Sequence, residues 1–354
     1  MKEAPSCSTE IFETLPDSRE VFLYRITNGT GITAEILSYG GMIHRLLVPD
    51  KNGELADVVL GQDNIKGYQK MPNCAGPVIG RVANRISNAQ FTAGGAVWHT
   101  ENNAKGDCTL HSGSANYSHR NFEGKTFAEN DRAGVTLSLR DNGEGGFPGG
   151  MDVSVTYSLD LEGNLRIFYE ALPEMETPVN FTNHVYFNLA GHKSGSVAEQ
   201  YLQLEADFFM THHVNGLPLG EIRSVKGTDM DFTVPAPLGQ GFHSDDAQLS
   251  LGGYDHNYCI RGRGMRRGGF AKDKKSGRCL EFFTDMPGVQ LYTGIHLFDG
   301  VCFGKDDAQY RNECGFCLET QHYPDAVNLS QFPSPYYAAG EKFESETIFR
   351  FYTE

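Results

Sequence analysis

Along most of the chain, apolar and polar side chains alternate in short runs, broken at close intervals by turn residues. "GVTLSL" (134–139), "MDVSVTYSL" (151–159), "NLRIFYEAL" (164–172), "GRCLEFFTD" (277–285) and "GVQLYTGI" (288–295) all repeat with period two, as strands with two different faces do. "DLEG" between residues 159 and 164 predicts a hairpin joining the second and third of these runs. Amphipathic helical stretches of any length are scarce, and "QDNIKGYQKM" (62–71) predicts one short helix under a loop. Strands spaced in this way predict an all-β sandwich or barrel. No low-complexity linker or fixed-period repeat divides the chain, so residues 1–354 are expected to form a single domain.

One run is unusual. In "PVNFTNHVYFNLAG" (178–191), alternation places Val179, Phe181, Val185, Phe187 and Leu189 on one face, with Asn183 the exception. The other face carries Asn180, Thr182, His184, Tyr186 and Asn188, polar and aromatic but without Lys, Glu or Asp. A solvent face is ordinarily charged, so this strand is expected to present His184 to something other than bulk water.

Composition narrows the classes. A formal net charge of −15 opposes association with nucleic acid or anionic membranes. The N-terminal "MKEAPSCSTEIFETLPDSRE" has no apolar core of a secretory signal, and no apolar run reaches the ~18 residues of a membrane span. The expectation is a soluble, cytoplasmic protein. Eight cysteines are too dilute for a disulfide scaffold. The C-x-x-C pair Cys314 and Cys317 lies in an alternating run, which would point the two thiols to opposite faces; neither a metal nor a dithiol role is expected. A glycan on the sequon at Asn180 would be incompatible with a packed strand. The basic, glycine-rich "RGRGMRRGGFAKDKKSGR" (261–278) is expected to be a long exposed hairpin loop, with an Arg/Gly nucleic-acid contact as the sharper reading.

Several segments set polar residues in strand-like surroundings: "GRVANRISNAQF" (80–91), "CTLHSGS" (108–114), "GGYDHNYCI" (252–260), "PGVQLYTG" (287–294) and "GFCLETQHYPDA" (315–326). Each has an ordinary explanation. A lone arginine usually packs or faces solvent, a strand histidine is usually hydrogen-bonded in place, Asp255 and His256 could form an Asx turn, and Gln290 and Glu319 could face water. Together they have the composition of a carbohydrate site, where planar polar groups pair with vicinal hydroxyls and aromatic rings cover the apolar sugar face. No G-x-G-x-x-G stands between strand and helix, and no G-x-x-x-x-G-K-[ST] occurs.

"GPVIGRVANRI", "TLHSG", "DNGEGGFPGGMDVSVTYSL", "TPVNFTNHVYFNLAG", "GGYDHNYCI", "PGVQLYTG" and "GFCLETQHYPDAVN" occur in an order that resembles the aldose 1-epimerases (galactose mutarotases), from about Thr33 to the C-terminal strand. The resemblance implies a large antiparallel β-sandwich of the galactose mutarotase-like supersandwich type, with few short helices and a sugar cleft on one sheet. It implies interconversion of the α and β anomers of free hexoses such as galactose and glucose, through ring opening and reclosure. No redox step is involved, so neither cofactor nor metal is implied. By resemblance Glu319 is the general base and His184 the general acid. His111 would orient the substrate, and Asn84, Arg85, Asp255 and Gln290 would bind hydroxyls. Tyr186 lies on the face of its run that would line the cleft, and Arg81 is expected to be structural. The ionised carboxylate and the imidazolium would each favour the other's active form across one sugar's width.

The sequence departs from the family where Ser112 replaces a glycine after "LH" and Phe127 stands near an expected tryptophan. Val185 and "QHYPDA", with His322 and Tyr323, are further differences. The first of these could alter one rim of the cleft and the sugar preferred. Competing readings are a hexose-6-phosphate 1-epimerase, which needs cations at the cleft, a glycosidase with Asp255 and Glu319 as paired carboxylates, and a non-catalytic sugar-binding protein on the same fold. The expected partner is a small monosaccharide, and the expected state a monomer or weak homodimer.

Overall fold

A computed structural model describes residues 3–71, 75–295, 297 and 302–354. Strands dominate, and the one α-helix among the described residues is Ile65–Lys70. That helix begins where Asn64 accepts a hydrogen bond from the Gly67 N–H at 2.8 Å, and it buries Ile65 and Tyr68.

The predicted hairpin forms. Met151–Asp160 pairs antiparallel with Asn164–Pro173, closing at Leu159 opposite Leu165. The Asp160 carboxylate accepts the N–H groups of Glu162 and Asn164, both at 3.0 Å, and Gly163 takes a φ of +83°. An added Cβ at Gly163 would meet the Phe351 carbonyl oxygen at 2.7 Å, so the turn needs glycine for space as well as for backbone angle.

This hairpin belongs to a nine-stranded antiparallel sheet. In spatial order its strands are Glu123–Ala128, Arg132–Asp141, Met151–Asp160, Asn164–Pro173, Phe343–Thr353, Arg278–Thr284, Arg266–Lys272, Tyr201–Leu204 and Ala236–Pro237. A five-stranded N-terminal meander spans residues 6–57. A second five-stranded sheet orders Pro218–Ser224, Ala206–His212, Asp255–Ile260, Gly288–Tyr292 and Cys317–Gln321. The main core joins all three, taking Val135, Val155 and Ile167 from the large sheet, Ile36 and Val48 from the meander, and Tyr258, Val289, Leu291 and Leu318 from the second sheet. Burying one face of each sheet against the others is what an all-β sandwich does.

Two expectations are corrected here. Residues 178–191 are not one strand: only Thr177–Pro178 and Thr182–Asn183 are strands, and isolated bridges from Asn180 to Val82 and from Phe187 to Val59 and Phe316 hold the rest. The segment threads the interior, where no single neighbour can pair along its length. Its apolar alternation survives, with Val179, Phe181, Val185, Phe187 and Leu189 all in the main core. Its polar residues are buried too. Asn180 Oδ1 accepts the His322 N–H at 2.8 Å, and Asn188 Nδ2 donates to the carbonyls of Gly195 and Cys314, both at 2.9 Å. The exceptional Asn183 donates to the Gly76 carbonyl and the Tyr157 hydroxyl, each at 3.1 Å.

The basic segment is likewise not one loop, because Arg266–Lys272 is a strand of the large sheet, with turns on either side. Most of its cations are paired. Arg261 meets Glu205 and Asp207, Arg267 meets Glu205 and Glu281, and the buried Arg278 donates to the carbonyls of Val48, Leu189 and Glu54.

Candidate active site

Register builds the site. Across the second five-stranded sheet, Asn257 stands opposite Gln290, and Gln290 opposite Glu319. The neighbouring row on the same face is Asp255, Tyr292 and Cys317. The alternate residues, among them Tyr258, Val289, Leu291 and Leu318, turn into the core. One face of three strands therefore presents a carboxylate, an amide and a second carboxylate side by side. Gln290 Nε2 donates to Asp255 Oδ1 at 2.6 Å.

Two other segments converge on this face. The "GRVANR" segment supplies Asn84 and Arg85, and the "TLHSG" segment supplies His111. They are pinned to each other: the His111 N–H donates to the Asn84 carbonyl at 2.9 Å, and the Asn84 N–H donates to His111 Nδ1 at 3.1 Å. A backbone donor on Nδ1 fixes the other nitrogen as the N–H, so His111 is a neutral imidazole with its donor at Nε2. Burial and the proximity of His184 and Arg85 keep its pKa well below the usual value. Ser112, where the family glycine was expected, adopts a φ of +64°. Its buried hydroxyl accepts the Val82 N–H at 2.9 Å and donates to the Val82 carbonyl at 3.1 Å, tying the two segments together.

His184 arrives from the threading segment. Its Nε2 lies 3.7 Å from Glu319 Oε1, and its ring packs edge-on to His111 at 5.5 Å between centroids. On the other nitrogen, Nδ1 meets the Cys317 thiol at 3.5 Å. Tyr186 is fully buried behind the histidine, its ring 5.0 Å away and its hydroxyl bonded to Cys317. It supports His184 from the protein side. Glu319 is 2% exposed, and its Oε2 has no hydrogen-bond partner among the described residues. A buried carboxylate oxygen without a partner is costly and marks a position built for something else to occupy.

The electrostatics differ from the ion pair read from sequence. Burial raises the Glu319 pKa well above the usual glutamate value; Asp255 adds to this and Arg85 opposes it. Burial also lowers His184 to about 4, with Asp255 opposing. Desolvation therefore outweighs mutual attraction, and both groups are driven towards neutrality. Asp255 itself stays below its ordinary value, because Arg85, His212 and the Gln290 hydrogen bond together exceed its burial penalty.

Beside this pair lies a narrow cleft lined by Asn84, Arg85, Thr211, His212, Asp255, Asn257 and Gln290. Arg85 is the one Arg or Lys among the described residues lining it. The side-chain N and O atoms of His111, His184 and Glu319 lie within 4.8 Å of one another, but the proton that the Asn84 contact places on His111 Nε2 leaves that imidazole no free lone pair for a cation. The structure thus gathers every sequence-predicted site residue, with Tyr186 behind rather than beside the cleft. It adds Asn257 and Cys317, both of which strand period two would have placed on the faces of Asp255 and Glu319. Arg81 lies elsewhere, buried against Asp141. Cys314 and Cys317 are both free thiols, and Cys314 accepts the Arg311 N–H.

The aldose 1-epimerase family model matches residues 23–350. Galactose mutarotase from Homo sapiens is 38% identical over 330 residues, covering 90% of this chain and 91% of its own. Aldose 1-epimerase from Escherichia coli (strain K12) is 30% identical over 345 residues, covering 96% and 97%. Among solved structures, a GalM/aldose epimerase homologue from C. elegans superposes with a TM-score of 0.85 at 30% identity, covering 94% of this chain and 98% of its own. Galactose 1-epimerase from Lactobacillus acidophilus NCFM gives 0.87 at 25%, covering 99% of each chain. The chain belongs to the aldose 1-epimerase family. It is an isomerase with the β-sandwich fold of galactose mutarotases.

Proposed function

We propose that the protein interconverts the α and β anomers of free hexoses, galactose and glucose among them, with Glu319 as general base and His184 as general acid. The carrying observation is the pairing of Glu319 Oε1 with His184 Nε2 at 3.7 Å, beside a carboxylate oxygen without a partner. Glu319 takes the proton from the C1 hydroxyl as His184 gives one to the ring oxygen, and the C1–O5 bond opens. The aldehyde turns about C1–C2, and the same transfers in reverse close the ring on the other face. Before opening, the pair is carboxylate and imidazolium; after it, carboxylic acid and imidazole. The total proton count is unchanged. Burial makes the charged pair a minority form of the free enzyme and favours its discharge during the transfer.

His111, neutral and with its N–H at Nε2, donates a hydrogen bond to the sugar near the ring oxygen. Asn84, Arg85, Asp255 and Gln290 hold hydroxyls, and Tyr186 braces His184 through Cys317. The chain acts as a single domain. It acts in the cytoplasm, as a monomer or weak homodimer, without nucleic-acid partners. Polarimetry of freshly dissolved α-glucose and α-galactose tests the reading: the protein should speed the approach to the equilibrium rotation, and no acceleration for either sugar would sink it. Metal dependence is not expected from the two imidazoles and the carboxylate. Chelator treatment should leave the rate within about twofold, because a cation there would occupy the lone pairs that proton transfer uses. A phosphorylated hexose is disfavoured as substrate, since Arg85 alone among the described cleft-lining residues is an Arg or Lys.

A further inference from the structure

The site sheet carries more polar groups than the acid–base chemistry and the predicted hydroxyl contacts use. Asn257 and Gln321 sit on strands separated by Gly288–Tyr292, in which Gly288 stands opposite Gln321. A Cβ at Gly288 would fall 2.6 Å from Asn257 Oδ1 and 2.9 Å from its Nδ2, so the glycine opens the space in which the two amides meet. Gln321 Nε2 donates to Asn257 Oδ1 at 3.1 Å and lies 3.4 Å from Gln290 Oε1, which links this pair to Gln290 and Asp255.

Once these bonds are made, Asn257 Nδ2 and Gln321 Oε1 are buried with no hydrogen-bond partner among the described residues. One is a donor and the other an acceptor. Exchanging oxygen and nitrogen on both amides would leave the same complement. A hydroxyl, which both accepts and donates, matches it. Burying both groups without such a ligand is unfavourable, and Asn257 lines the cleft.

We propose that Asn257 and Gln321 form a further hydroxyl-recognition pair for the aldose, at the end of the cleft away from the reacting carbon. Asn257 is two strands from Glu319 in the same row, roughly 9–10 Å at ordinary strand spacing, and Gln321 is two residues along Glu319's own strand, roughly 7 Å away, so the hydroxyl they read is not the one at C1. The inference rests on the anomer-interconversion reading.

The test compares kcat/KM of the wild type, Asn257→Leu and Gln321→Leu on glucose and on its 2-, 3-, 4- and 6-deoxy analogues. Both variants should lose roughly 10- to 100-fold on glucose and on every analogue but one. For that one analogue, the same for both variants, wild type and variants should differ by less than about threefold, because the hydroxyl they read is already missing. A uniform loss across glucose and all analogues would make the pair structural and overturn the proposal. Should the leucine variants fail to fold, Asn257→Ser and Gln321→Glu carry the same comparison with smaller changes of shape. Failure of the underlying reading looks different: the wild type itself would not accelerate anomer interconversion of glucose.

Discussion

Arg81 and Arg85 are four positions apart in one short motif, and they live in opposite surroundings. Arg81 is 1% exposed and spends its N–H donors on Asp141, on the carbonyls of Pro148 and Gly149, and on Thr177 Oγ1. Asp141 is equally occupied, accepting also from the Tyr117 hydroxyl and the Gly143 N–H. Around Arg85 the account is open. Its buried Nε is unpartnered among the described residues, as are Glu319 Oε2, Asn257 Nδ2 and Gln321 Oε1. Closed networks of buried polar groups specify structure, whereas unpartnered groups clustered around one cleft can be completed by a ligand. The two regions have similar residue types, but Arg81 is buried and Arg85 half-buried, and the completeness of their hydrogen bonding separates them further.

The comparison breaks first at Glu319. Glu319→Gln removes the proposed base, so anomer interconversion followed by polarimetry should fall by ~10³-fold or more while saturation-transfer NMR still detects sugar binding. A near wild-type rate would remove Glu319 as the base. The same variant should be more stable than wild type at neutral pH. A carboxyl whose folded pKa is raised gives stability that is full below its unfolded value of ~4.3 and is lost as pH rises towards the folded value. Glutamine has no such loss, so denaturant melts should show the advantage of the variant growing from about pH 4 upwards.

Next come the two arginines themselves. Arg81→Met leaves Asp141 buried and uncompensated and should cost about 3–5 kcal/mol of stability, with kcat/KM of the folded enzyme within about threefold. Arg85→Met should do the reverse: stability within about 1 kcal/mol, kcat/KM down by ~10²-fold. Equal stability losses in urea titrations of the two variants would erase the distinction drawn here.

Asp255→Asn should have a smaller, more specific effect. Asp255 raises both Glu319 and His184, so its removal lowers both, and the acid limb of the pH–rate profile should move to lower pH. An unmoved limb would mean that Asp255 does not act on the pair electrostatically. The smallest change expected is at Cys317→Ala, which loosens the contact at His184 Nδ1 and should slow kcat by roughly 2- to 5-fold with KM unchanged.

Much of this was legible along the chain. Period two marked the strands of the large sheet, and "DLEG" marked its hairpin, because local alternation and turn chemistry act over a few residues. The same period reported the apolar face of 178–191 correctly, although the segment is no strand. A buried polypeptide passing between layers alternates for the same packing reasons and then satisfies its backbone piecemeal. That is why Asn180 and Asn188 proved to be staples while His184, on the same face, reaches the site. The basic segment misled for a related reason: its partners, Glu205, Asp207 and Glu281, lie far away in sequence or across a strand, so charge pairing was invisible locally.

The sequence by itself determined an all-β chain, the resemblance to the aldose 1-epimerases, and the list of polar residues that could meet a sugar. Only the tertiary structure decided which of them face one another. Register across three strands aligned Asn257, Gln290 and Glu319, and a non-strand segment brought His184 to Glu319. It also decided their protonation. The pKa of a buried group depends on how much water the surrounding fold removes, and that is a property of the packed molecule rather than of any stretch of its chain.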